Sequence, residues 1–181
     1  MSDYFISEER AENDLLDCAA FLAERIKSAD GHAEAMKAII PRYLSRGLVD
    51  LAAELANAVN DPYSRDRLLV VVAEKCADAD DDEYALQLAD AVEDTGMRAE
   101  ALERVALVMA AKGRTERAAE VAATMAHPDF VYAGIVVNQM ADGDRAASDA
   151  TLDGIEFPAA RVSALLQVAA SQSEKGQSDE A

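Results

Sequence analysis

Apolar residues recur along this chain at helical spacing. Met36, Ile39, Ile40 and Tyr43 stand at i, i+3, i+4 and i+7; Leu69, Val72, Ala73 and Cys76 repeat the pattern, and so do Leu102, Val105, Ala106 and Met109. Ala52, Leu55, Ala56 and Val59 do the same in an alanine-rich stretch. A stripe of that period buries one face of an α-helix and leaves the other to water. The spacing predicts paired helical segments of about 12 to 15 residues each. Two stretches, RLLVVVAEKC and DFVYAGIVVNQM, are rich in β-branched residues, which favour strands. The place of the first in the helical register outweighs that propensity, and the second is read as the helix of a shortened unit.

The paired segments repeat. A shift of 66 residues carries Ala33, Glu34 and Ala35 onto Ala99, Glu100 and Ala101, Gly47 onto Gly113 and Pro62 onto Pro128 without a gap. A shift of 33 brings in Leu69, Ala73, Ala85 and Leu88, and a shift of 63 carries Arg98 onto Arg161 and Gly113 onto Gly176. Gly143 and Pro158 follow Gly113 and Pro128 by 30, so one unit has lost about a helical turn. The unit is about 33 residues and occurs about five times. Arg46, Lys112 and Lys175 precede the turn glycines, where a cation meets the negative end of the first helix. Asp80, Asp81 and Asp82 replace the glycine in one unit and are suited to capping the helix that follows. Pro62, Pro128 and Pro158 are expected to mark where the second helix cannot continue.

These slots resemble the tetratricopeptide-repeat superfamily. Met36, Leu69, Leu102 and Leu165 fill the first large apolar slot, and Ala73, Ala106 and Ala169 the small slot four residues on. Tyr43 holds the late aromatic slot, and Ala52, Ala85 and Ala118 open the second segment. The sequence departs from the pattern in lacking the early Trp, in placing Ile40 at a small slot and Cys76 and Met109 at the aromatic one, and in closing prolines about two residues early. The resemblance implies an all-α fold, an α-α superhelix (a TPR-like solenoid) of about five antiparallel hairpins. Residues 14–176 form the solenoid domain in this reading, 1–13 an N-terminal arm or capping helix, and 177–181 a polar C-terminal tail. Such a hairpin cannot bury its own apolar face, so stacking with neighbours makes the core.

Composition narrows the chemistry. The chain has 181 residues, with 35 acidic and 17 basic side chains and a net charge of -18. That charge repels phosphate backbones, and no local basic stripe offsets it, so nucleic acid is not an expected partner. No apolar run approaches the ~20 residues of a membrane span, and the start, MSDYFISEER, has acids where a secretory leader needs a basic stretch. A cytoplasmic protein is expected. The basic residues are 12 Arg but only 5 Lys, a lysine-poor acidic surface like that of proteins from salt-loaded, halophilic cytoplasm. Salt there screens self-repulsion, so the fold is expected to be weaker in dilute buffer. An unchanged thermal midpoint between ~0.1 M and multimolar KCl would refute this.

Candidate chemistry is sparse. His32 and His127, the only histidines, fall 95 residues apart in unit-joining turns, without a nucleophile or carboxylate partner in register. Cys18 and Cys76 sit in apolar helical contexts as two buried free thiols. Asp78, Asp80 and Asp82 alternate like the start of a calcium loop, but its sixth and twelfth places hold Glu83 and Ala89. No phosphate loop or HExxH motif appears. No catalytic residue, metal or cofactor is therefore expected. Arg65, Arg98 and Arg161 recur at the head of first helices, read as salt bridges, with Asp61 and Asp94 four residues upstream, rather than as a carboxylate-binding ladder.

The face of the first helices opposite the core slots carries Glu34, Lys37, Arg67, Val70, Val71, Glu74, Glu100, Glu103, Arg104 and Leu107. Concave faces lined this way usually hold peptides or proteins, and Val70, Val71 and Leu107 would supply a small apolar strip framed by charge. The expected function is a non-enzymatic interaction scaffold or adaptor for a peptide or partner domain, itself a monomer or weak homo-oligomer. The alternative is a regulatory or self-assembling helical-repeat fragment of a larger protein whose activity lies elsewhere.

Overall fold

The computed structural model describes residues 4–179, with side chains through Ser171. Among the described residues it is all-helical, with eleven helices and no strand. They are α1 (Glu8–Asn13), α2 (Leu15–Ala23), α3 (Ala29–Ser45), α4 (Val49–Asn57), α5 (Pro62–Asp78), α6 (Asp82–Asp90), α7 (Thr95–Ala111), α8 (Thr115–Ala122), α9 (Asp129–Ala141), α10 (Arg145–Gly154) and α11 (Pro158–Asp179). The long helices α3, α5 and α7 open at residues 29, 62 and 95 and close at 45, 78 and 111; the short α4, α6 and α8 open at 49, 82 and 115. The 33-residue period of the sequence is thus a period of helix boundaries. Both β-branched stretches are helical, in α5 and α9. Their branched side chains are mostly buried, so packing overrides propensity.

The turns follow from backbone sterics. Gly47, Gly113 and Gly143 take φ of +74°, +80° and +84°, and Asp80 takes +65° in the equivalent turn. Aspartate is among the few L-residues that tolerate this region. Asp81 then caps α6, accepting from the Tyr84 N–H at 3.1 Å. The prolines differ from expectation. Pro62 and Pro158 open α5 and α11, and Pro128 is the N-cap of α9. A proline has no N–H to lose in the first turn, and its fixed φ suits that position. Gly176, which the register places at a turn, lies inside α11.

The chain forms two compact units, residues 1–101 and 102–181. In the first, α5 is central, packed against α3, α4 and α6. Met36, Ile40, Tyr43, Leu55, Leu69 and Val72 are fully buried there, with alanines such as Ala52, Ala73 and Ala85 between them. Near the N-terminus, Tyr43 donates to Asp17 Oδ1 at 2.6 Å, and the Arg10 guanidinium pairs with Asp17 at 3.1 Å. Burial, then the Asp17 carboxylate, pushes the Tyr43 phenol well above its usual range. In the second unit α9 is central. It packs against α8, α10 and α11 around Ala133, Val136, Ile155, Ala160 and Ala164.

Candidate functional site

The predicted strip divides by helix. On α3, Glu34 and Lys37 are exposed and pair with each other at 2.8 Å. On α5, Arg67 is exposed and lies 5.9 Å from the Tyr63 ring, and Glu74 is half-buried. Val70, expected on the open face, is buried at 4 % exposure. Leu68, Leu69, Val70 and Val72 are all buried, because α5 has α3, α4 and α6 packed around it and hides a wide arc rather than a single stripe. On α7, Glu100 and Arg104 are exposed and Glu103 is half-buried. Leu107 is half-buried and packs on α9: a methyl group added at Gly134 would lie 2.9 Å from its Cδ2. It serves packing within the second unit rather than an open strip.

Val71 remains at an open site. It lines a groove of about 540 Å³ with the C-terminal half of α3, the α3–α4 turn and the start of α4. Pro41, Leu44 and Val49 supply the apolar wall, Ser45 and Gly47 the turn end, and Lys75 and Asp78 a polar edge, paired at 3.2 Å. Pro41 stands inside α3 and is exposed. It has no N–H to give the carbonyl one turn back, so the regular helical bond is missing there. Pro41, Ser45, Lys75 and Asp78 continue, one and two turns on, the faces that carry Lys37 and Val71.

The remaining candidates resolve individually. His32 is buried in the first turn of α3, not in a surface turn, and its Nδ1 has no hydrogen-bond partner. His127 is exposed between α8 and α9. Cys76 is buried, as expected, whereas Cys18 is half-buried. Burial pushes the Cys76 thiol up to about 12, with Asp81 and Asp50 adding to the effect; that thiol is no nucleophile near neutral pH. No group of His, Cys, Asp or Glu able to hold a metal occurs among the described residues. Asp80 and Asp81 serve the turn and the cap instead.

The recurring arginines make different bonds. Arg65 bridges Asp66 at 3.1 Å and Glu93 at 3.0 Å; Arg98 donates to the Val92 carbonyl at 2.8 Å; Arg161 reaches Asp153 at 3.2 Å. Asp61 and Asp94 are not their partners in these bonds. They cap helices, accepting from the Ser64 and Met97 N–H groups.

A clasp absent from the sequence reading lies beside Arg65. The buried Asp66 carboxylate accepts from the backbone N–H groups of Glu93 at 3.1 Å and Asp94 at 2.8 Å, joining α5 to the segment that leads into α7. Burial alone would raise its pKa; the Asp94 N–H, the Arg65 guanidinium and the Glu93 N–H outweigh that and hold it below the usual carboxylate range. In the second unit Asp129 accepts from the N–H groups of Glu156 and Phe157 at 2.7 and 2.9 Å, ahead of α11. The 63-residue shift that superposes Arg98 on Arg161 also carries Asp66 onto Asp129, so the two clasps occupy equivalent places in the repeat.

No family model matches the chain, and no curated protein or solved structure matches it either. No helix among the described residues is long and apolar enough to cross a membrane.

Proposed function

We propose that this chain is a TPR-like interaction scaffold that holds an extended or helical peptide segment, free or on a partner domain, in the α3–α5 groove. The observation that carries the reading is an open groove of about 540 Å³ with an apolar wall of Pro41, Leu44, Val49 and Val71. The 33-residue recurrence of helix boundaries supports a solenoid of about five hairpins, an architecture whose long helices offer one side chain after another to an elongated ligand. Apolar anchors in such a groove supply affinity, and the charged edge at Lys75 and Asp78 sets direction.

The test is selection of binders from a displayed peptide library against the wild-type chain, followed by affinity measurement on Ser45→Arg and Val71→Glu. Ser45 is exposed and lines the groove, so an arginine there fills it without disturbing the core. Selected peptides are expected to lose about tenfold or more in affinity on both variants, a change of about 1.4 kcal/mol. Peptides that bind both variants as tightly as wild type would remove the groove from the account.

A further inference from the structure

The segment ahead of α1 is held by a site at the C-terminal end of α2. Both oxygens of the Glu24 carboxylate are engaged there. The backbone N–H of Phe5 donates to Oε1 at 2.7 Å and that of Ile6 to Oε2 at 3.1 Å. The neighbouring Arg25 guanidinium lies 4.3 Å from the centroid of the Tyr4 ring and 3.3 Å from that of Phe21, and it donates to the Phe21 carbonyl. Ile6 is 1 % exposed, whereas Tyr4 and Phe5 are 46 % and 42 % exposed. One carboxylate thus holds two successive main-chain N–H groups, a cation holds an aromatic ring, and an aliphatic side chain is enclosed. Main-chain bonds combined with places for particular side chains are how folded domains recognise short peptide segments.

This clasp differs from those of Asp66 and Asp129. They reach 27 and 28 residues forward and hold the segments that lead into α7 and α11. Those two helices are built into the core, through Ala101, Val105 and Met109 in α7 and Ala160 and Ala164 in α11. Glu24 instead reaches 19 and 18 residues back, outside the repeat register, and α1, the helix that follows its segment, buries no residue. The segment is held by the enclosed Ile6, the Glu24 clasp and the Tyr4–Arg25 contact, and α1 by the Arg10–Asp17 pair at 3.1 Å. A segment attached by so few groups opens locally, at a fraction of the cost of unfolding the core. Opening leaves Phe21, Glu24 and Arg25 in place at the end of α2.

We propose that the Glu24–Arg25 end of α2 is a recognition site for a partner's peptide segment with an aromatic residue two positions before an aliphatic one, and that Tyr4, Phe5 and Ile6 occupy it in cis as an exchangeable strap. The two positions whose N–H groups meet Glu24 cannot be proline. The probe is a fluorescent peptide of residues 4–9. The hosts are full chains whose strap is disengaged, by Ile6→Asp or, at an exposed position, by Phe5→Pro. Saturable binding to both hosts is expected in anisotropy at unchanged circular dichroism. Binding to wild type is expected to be about tenfold or more weaker, because the tethered strap competes at high effective concentration. Adding Glu24→Ala to either host, or Ile6→Pro to the peptide, is expected to abolish binding. Absence of binding to both hosts, equal binding by wild type, or binding that survives Glu24→Ala would overturn the proposal. Loss of helical circular dichroism in both hosts would overturn it too, since residues 4–6 would then be a fixed part of the fold. So would a wild-type dimer in sedimentation equilibrium that Phe5→Pro abolishes, since the site would then belong to the strap of a second copy.

Discussion

The Asp66 clasp is the interaction whose removal is expected to be felt most. Asp66→Ala deletes a carboxylate that accepts two backbone N–H groups at 3.1 and 2.8 Å and an arginine at 3.1 Å. An N–H left without an acceptor costs about 1–3 kcal/mol when water is excluded. Glu93 and Asp94 are exposed residues, so water recovers part, and about 1 kcal/mol apiece is the appropriate figure. Arg65 keeps Glu93 at 3.0 Å, so its share is about 0.5 kcal/mol. The total is roughly 2–3 kcal/mol, which lowers a urea midpoint by about 1 M at an m-value near 2 kcal/mol/M. The assay is urea unfolding by circular dichroism at fixed KCl. The sign with pH is also set. A carboxyl whose folded pKa lies below its unfolded value stabilises above that unfolded value, near 3.9, and loses the contribution as pH falls through the folded one. The wild-type advantage over Asp66→Ala is therefore expected to be constant from about pH 7 to pH 5 and to shrink below that. A midpoint shift under about 0.2 M, or an advantage that grows on acidification, would refute the reasoning.

Other outcomes follow from the same contacts. Tyr43→Phe removes the 2.6 Å bond to buried Asp17, and a loss of about 1–2 kcal/mol is expected in the same urea assay. Gly47→Ala places a Cβ at φ +74° and is expected to cost about 1 kcal/mol, whereas Asp80→Gly at φ +65° is expected to be neutral or stabilising; scanning calorimetry of the pair checks this. Native protein treated with a thiol reagent is expected to modify half-buried Cys18 first and to leave buried Cys76 unreacted until unfolding, a difference peptide mass spectrometry resolves.

The periodic features were legible because they are local. Apolar spacing placed the long helices, Gly47 and Gly113 marked turns that need a positive φ, and Asp81 was readable as a cap. Proline misled because it is excluded from helix interiors yet favoured in the first turn, so Pro62 fitted both an end and a beginning. Gly176 did not break α11, since a mid-helix glycine costs only about 1 kcal/mol against alanine. Val70 and His32 were misplaced for a tertiary reason: a helix packed on several sides buries residues outside its main stripe. Of the expected strip, Val71 lies at the groove, while Leu107 packs on Gly134. The Asp66 and Asp129 clasps join positions 27 and 28 residues apart, a distance that no local pattern spans.

The measurement that bears most directly on the central claim is an NMR titration of the ¹⁵N-labelled chain with a selected peptide, at multimolar KCl. Saturable amide shifts are expected at Leu44, Ser45, Gly47, Val49, Val71 and Lys75, residues that line the groove. Shifts that leave these residues unmoved while the peptide binds elsewhere would contradict the claim.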